Sequence, residues 1–190
     1  MTSEREKMSA GQPYQQFDNE LIERRKFIRH ELQQINQLDN NDRRNARVKS
    51  LLADSGPHFF VEGGLAFDYG FNIHIGDHFY ANYHLTLLDT CPITIGDHCY
   101  IGPDVGLYTP IHPLSAKKRD ADVELGAPIT IGSSVWMGGN VTILPGVTIG
   151  DRVVIGAGSV VTKSFESDVV IAGNPARIIH HLDQNGDVIP

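Results

Sequence analysis

Two regimes of hydrophobic spacing divide the chain near residue 56. Between Asp18 and Asn40, the apolar residues Leu21, Phe27, Ile28, Leu32, Ile35 and Leu38 recur at intervals near three and four, with Glu, Arg and Lys between them. That is the period of an amphipathic helix. Asp18 stands where its carboxylate can accept from the first free backbone N–H groups, so it is the expected N-cap. Asn40-Asn41-Asp42 interrupts the pattern, a second short helix is predicted over 43–52, and Ser55-Gly56-Pro57 ends it. Helices this small cannot bury a core alone and must lean on the rest of the chain.

After residue 57 the period becomes six. Ile131, Met137, Ile143, Ile149, Ile155 and Val161 follow one another at six-residue steps, and a second row, Val135, Val141, Val147 and Val153 with Ser159 closing it, runs four positions behind. Gly follows the first row at Gly132, Gly138, Gly150 and Gly156. The same phase passes through Ile95, Ile101 and Leu107 and through Tyr69, Ile75, Ala81 and Leu87, with a two-residue slip near Thr90-Cys91. Six matches neither a helix nor a simple alternating strand. A short strand and a tight corner per hexad, three hexads to a coil, make a parallel β-helix. Gly suits corners that need a positive φ or close backbone approach. The Ile, Val and Gly of the repeat are scaffold, so chemistry is expected where the repeat breaks.

Composition narrows the classes of function. Lys plus Arg is 16 against 23 Asp plus Glu, a net charge of −7, which argues against nucleic acid as partner. A charged N-terminus leading into no apolar run predicts no signal peptide, and no stretch is long enough for a membrane span. Cys91 and Cys99 suit neither a disulfide framework nor a common zinc motif, and read as reduced thiols in a cytoplasmic protein.

The largest break in the hexads runs over 109–128 and must leave the prism as a loop. Loops inserted in solenoids commonly carry binding surfaces. His112 lies at its base before Pro113, which restrains it to extended backbone, and imidazole is a natural general base near neutral pH. His78 and His98 occupy equivalent Ile-Gly-Asp-His corners 20 residues apart and are expected to stack. No third ligand is evident at matched phase, so no metal site is expected. His30, His58, His180 and His181 read as surface residues.

The tracts Ile73–Tyr83, Leu88-Asp89-Thr90-Cys91 and Tyr108–Leu114, the N-terminal Glu6–Gly11 segment, and Val161-Thr162-Lys163 with Ala172–Arg177 together resemble the maltose and galactoside O-acetyltransferases over nearly the whole chain. The resemblance implies a mainly β fold: a left-handed parallel β-helix over 57–190 behind a helical segment over 1–56. It implies a homotrimer with sites between subunits, and acetyl transfer from acetyl-CoA to a sugar hydroxyl, the 6-hydroxyl of a hexose or glucoside, with no metal. His112 matches the catalytic base and the Gly139 backbone N–H an oxyanion donor. Asn82, Asp89 and Arg25 match acceptor-binding positions. Trp136 matches a residue of the acyl and pantetheine channel, the Ala157 backbone a pantetheine contact, and Thr162, Lys163 and Arg177 the coenzyme end. Gln15 and Gln16 stand where the family often has an acidic residue, His84 where Asn is frequent, and Lys117-Lys118-Arg119 makes the loop unusually basic. The departures fall on the acceptor side, so the coenzyme is better defined than the sugar.

Other readings on this fold are a xenobiotic, antibiotic or serine O-acetyltransferase, a metal-dependent hydratase and a trimeric scaffold with a decayed site. The hydratase needs three convergent histidines where only His112 is well placed. The scaffold predicts loss of His112, Asn82 or the Lys163 and Arg177 pair, all of which are present.

Overall fold

The computed structural model describes residues 2–189. Three helices open the chain: α1 (Glu4–Ser9), α2 (Asn19–Ile35) and α3 (Asn41–Lys49). A reciprocal Ser3–Glu6 capping box starts α1. Asp18 caps α2 as expected, accepting from the Glu20 N–H at 3.0 Å. α3 begins two residues before the predicted Arg43 because the Asn40 side chain accepts the Arg43 N–H at 2.9 Å, and it stops at Lys49 rather than Leu52. The apolar stripe of α2 (Ile28, Leu32, Ile35), with Val48 and Leu51, joins the core of the β region through Phe59, Val61, Leu65 and Phe67.

The rest is a triangular prism of parallel strands. The first face stacks Asp54–Ser55, Ile73–Ile75, Ile93–Ile95, Ile129–Ile131 and Thr148–Ile149. The second stacks Phe59–Val61, Phe79–Ala81, Tyr100–Ile101, Trp136–Met137 and Val154–Ile155, then Val169–Gly173. The third stacks Ala66–Phe67, Thr86–Leu88, Gly106–Tyr108, Thr142–Ile143 and Val160–Val161. Tyr69 leaves the predicted row to pack with Met8, Tyr14 and Leu21. Register places the other predicted row residues one above another: Ile75, Ile95, Ile131 and Ile149; Ala81, Ile101, Met137 and Ile155, which Ile171 continues; Leu87, Leu107, Ile143 and Val161. Each is at most 5% exposed, so the hexads are the core.

The glycines of the repeat serve close approach rather than positive φ. A Cβ on Gly96 would lie 2.8 Å from the Gly132 carbonyl carbon in the next coil, and one on Gly138 would lie 2.7 Å from the Ala157 nitrogen. Left-handed backbone falls on other corner residues, non-glycine ones such as His78, His98, Ser134 and Arg152 as well as Gly64, Gly146 and Gly158.

Both ends of the prism are covered. Asn45 accepts the Val61 N–H at 3.0 Å, and Asn36 donates to the Leu65 carbonyl while accepting from the Gly64 N–H, so helix side chains occupy backbone groups of the first coil. At the other end Ala176–His181 folds back antiparallel on Val169–Gly173.

Candidate active site

The 109–128 segment leaves the prism between its third and first faces. Pro110–Ile111 runs out, α4 (Ala116–Arg119) turns it, and Val123–Gly126 returns antiparallel. Tyr14–Gln15, from the N-terminal segment, pairs with the outer edge of Val123–Gly126. This three-stranded ribbon fixes Glu124 beneath the loop.

Glu124 is the residue that sequence reasoning missed. It is 8% exposed, and its Oε2 lies 3.7 Å from Nε2 of His112. Its Oε1 accepts from the Tyr14 hydroxyl at 2.6 Å and from Thr90 at 3.4 Å. Burial, followed by the adjoining Glu124 carboxylate, pushes the Tyr14 phenol well above its ordinary value, so it remains a proton donor. The array Tyr14–Glu124–His112 thus runs from a buried donor through a nearly buried carboxylate to an exposed imidazole. Such an arrangement can orient an imidazole as a general base, the 3.7 Å between Glu124 and His112 being an ion-pair rather than a hydrogen-bond distance.

Glu124 and Thr90 also line a cavity of about 430 Å³ with Arg25, Arg29, Asp68 and Tyr69. Arg25, an expected acceptor contact, is braced by donating to the Tyr69 hydroxyl and, at 2.7 Å, to the Gln16 carbonyl. Burial raises the Asp68 carboxyl, against the pull of Arg25 and Arg29. Burial also pushes Tyr69 up to about 12, again against Arg25.

Asp89 is placed differently from the expectation. Its side chain is fully buried, with Oδ1 accepting from the Asp68 and Tyr69 N–H groups at 3.1 and 2.8 Å and Oδ2 from Gly70 at 2.8 Å. It braces the 68–70 turn, where Gly70 has φ of 78°, and offers no free oxygen to an acceptor. The neighbouring Thr90 faces the cavity instead.

The remaining predicted residues divide between edges of the prism. His112, Thr162 and Lys163 lie where the third face turns to the first. Asn82, Gly139 and Ala157 lie where the second turns to the third. At this second edge the Gly139 and Ala157 N–H groups donate to no group among the described residues. At the first-to-second edge, by contrast, the corresponding Asp77, Asp97, Ser133 and Asp151 N–H groups all donate to side chains of the next coil. Asn82 accepts the Tyr83 N–H at 2.8 Å, which holds its side chain at the corner. Trp136 is 57% exposed on the second face beside Tyr100. Lys163 and Arg177 border one concavity of about 490 Å³ at the C-terminal end, with Phe165 and Ile178; Thr162 is exposed nearby but does not line it. Two separated cations flanking apolar side chains fit a phosphate-bearing ligand.

The stacked coils, capping helices and inserted loop define a hexapeptide-repeat acyltransferase. Residues 7–56 match the maltose acetyltransferase hexapeptide capping motif, and residues 128–163 match the bacterial transferase hexapeptide (six repeats). The galactoside O-acetyltransferase of Escherichia coli (strain K12) is 40% identical over 142 residues, covering 75% of this chain and 70% of its own. The crystal structure of a maltose O-acetyltransferase from Clostridium difficile 630 is similar with a TM-score of 0.94 and 41% identity, covering 96% of this chain and 98% of its own. A galactoside acetyltransferase in complex with coenzyme A gives a TM-score of 0.91 at 38% identity, covering 97% and 94%. The chain belongs to the maltose and galactoside O-acetyltransferase family. Among the described residues no helix is long and apolar enough to cross a membrane.

Proposed function

We propose that the chain transfers the acetyl group of acetyl-CoA to a sugar hydroxyl, the 6-hydroxyl of a hexose or glucoside, in a homotrimer whose sites lie between subunits. The observation that carries this reading is the Tyr14–Glu124–His112 array beside a polar cavity, in a chain of this family. Glu124 favours a proton on the ring nitrogen facing it and leaves the other as base. His112 takes the acceptor hydroxyl proton while that oxygen bonds to the acetyl carbonyl carbon. The tetrahedral oxyanion is met by the free Gly139 N–H, the carbon–sulfur bond breaks, and His112 returns the proton to the thiolate. Arg25 and Thr90 orient the acceptor, Lys163 and Arg177 take phosphates of the coenzyme, and the Ala157 N–H bonds its pantetheine arm. The two buried, unpaired cysteines suit the cytoplasm.

The division of site residues between two prism edges supports the trimer. With the second-to-third edge of one subunit against the third-to-first edge of its neighbour, Asn82, Gly139 and Ala157 meet His112. Mixing tests this directly. Inactive His112→Ala and Asn82→Ala trimers, co-refolded in equal amounts, contain intact sites only where an Asn82→Ala chain supplies His112 and a His112→Ala chain supplies Asn82. Random assembly then restores about one quarter of wild-type thiol release from acetyl-CoA, since each of two independent choices is right half the time. No recovery would place both residues in the same chain's site. A panel of maltose, glucose, isopropyl thiogalactoside, chloramphenicol and serine identifies the acceptor, and release with chloramphenicol or serine alone would replace the sugar assignment.

A further inference from the structure

The third prism edge, between the first and second faces, carries a side-chain cluster that acetyl transfer does not use. His58, His78 and His98 fall at one repeat position in three successive coils, after Gly56-Pro57, Gly76-Asp77 and Gly96-Asp97. Their rings stack in register, His58 on His78 at 4.3 Å and 10° and His78 on His98 at 4.6 Å and 7°. The expected pair is therefore a ladder of three, and the ligand atoms that converge are those of His58, Asp77 and His78, without His98. His58 Nδ1 lies 3.1 Å from both Asp77 oxygens, and His78 Nε2 lies 3.5 Å from Asp77 Oδ2.

We propose that His58, Asp77 and His78 form a surface site for a borderline divalent transition-metal ion of the Zn2+ class. Two imidazoles and one carboxylate are the donor set such ions take, with one or more positions left to water. One ligand atom from each residue lies within 4.8 Å of the other two. Bonds of about 2.0–2.1 Å in a tetrahedral arrangement bring ligand atoms to roughly 3.4 Å apart, so the required contraction is on the order of 1 Å. The side chains have room to make it, being 65%, 32% and 48% exposed in the order named, and the two rings need only tilt from parallel toward the carboxylate. The His58 backbone N–H already donates to Asp77 Oδ1 at 2.8 Å, which holds the carboxylate against both rings. The backbone also aims the cluster: His78 has φ of 53°, and the Asp77 N–H is tied to Asp97 Oδ1 at 2.7 Å. This edge is the one that holds none of the residues assigned to acetyl transfer, so the proposal does not rest on that assignment.

Titration of the whole protein with Zn2+ at pH about 7.5, read by calorimetry and by histidine ring NMR signals, tests the site. The expected result is one saturable site per chain. His58→Ala or His78→Asn (Asn tolerates the left-handed backbone) should weaken it at least tenfold, Mg2+ should not occupy it, and the His58 and His78 signals should move together. The proposal is overturned if the His58→Ala/His78→Asn double variant binds Zn2+ as tightly as wild type, or if only the His180 and His181 signals respond. Retained circular dichroism and melting temperature separate loss of the site from loss of the fold.

Discussion

Asp89→Ala should destabilise the fold rather than weaken acceptor binding, and the size of the effect should depend on pH. The substitution removes the acceptor of three backbone N–H groups, of which those of Tyr69 and Gly70 are buried. Two buried donors left without partners cost about 2–6 kcal/mol together, at about 1–3 kcal/mol each. The variant is also relieved of a burden. Burial pushes the Asp89 carboxyl from 3.8 up to about 7, while the N–H bonds from Tyr69, Asp68 and Gly70 pull it the other way. As pH rises from about 4 to about 7 the unfolded chain releases this proton first, so Asp89 contributes less and less stability across that window. At about 1.4 kcal/mol per unit, the burden is about 1.5 kcal/mol at pH 5 and about 4 kcal/mol at pH 8. Asp89→Ala should therefore cost about 0.5–4.5 kcal/mol at pH 5 and about 2.5 kcal/mol less than that at pH 8, where the net effect falls within about 2 kcal/mol of zero. Urea unfolding followed by circular dichroism at both values measures this, with acceptor kinetics recorded on folded enzyme. Wild-type stability at pH 5 together with an acceptor KM raised tenfold would refute the bracing role and return Asp89 to the acceptor.

His112→Ala should lower turnover by about 10²–10⁴ in a folded protein, and Glu124→Gln should lower kcat by less while changing its pH profile. Equal pH profiles for Glu124→Gln and wild type would remove the carboxylate from the mechanism. Tyr14→Phe deletes a buried hydrogen bond to a charged group and should cost about 1.5–3 kcal/mol in urea unfolding; an unchanged midpoint would mean the contact is energetically empty. Arg177→Ala should raise the KM for acetyl-CoA, leaving the acceptor KM near wild type, and a change confined to the acceptor would contradict its place at the coenzyme end.

The prism was legible because each coil repeats one pattern, so Ile131, Met137 and Ile143 announce three faces and Ile149 the return to the first. Glu124 was not legible, since its partners are joined by no period. Tyr14 is 110 residues away in sequence and reaches Glu124 only because two irregular segments pair antiparallel. The alternation Asp120-Ala121-Asp122-Val123-Glu124-Leu125 was the available hint that this part of the loop returns as a strand. Asp89 was misread for a related reason. A carboxylate beside a predicted pocket looks the same in sequence whether it faces solvent or turns inward to three N–H groups. His58 had a usable signal, the 20-residue spacing to His78 and His98, which Pro57 in place of the Asp of the later corners obscured.

The polar grip of the capping helices on the first coil bears on how the molecule stays finite. A stack of parallel strands has no inherent length, and an uncovered end would template another chain. Asn36 and Asn45 remove that option by occupying the Gly64 and Val61 N–H groups, while Arg44 reaches the Val61 carbonyl at 3.4 Å. Deleting residues 2–52 should therefore release head-to-head pairing of prisms through their uncovered first coils, the far end staying covered by Ala176–His181, rather than yield a shorter soluble prism. Asn36→Ala with Asn45→Ala should begin to do the same, so these two asparagines act as a length stop for the assembly.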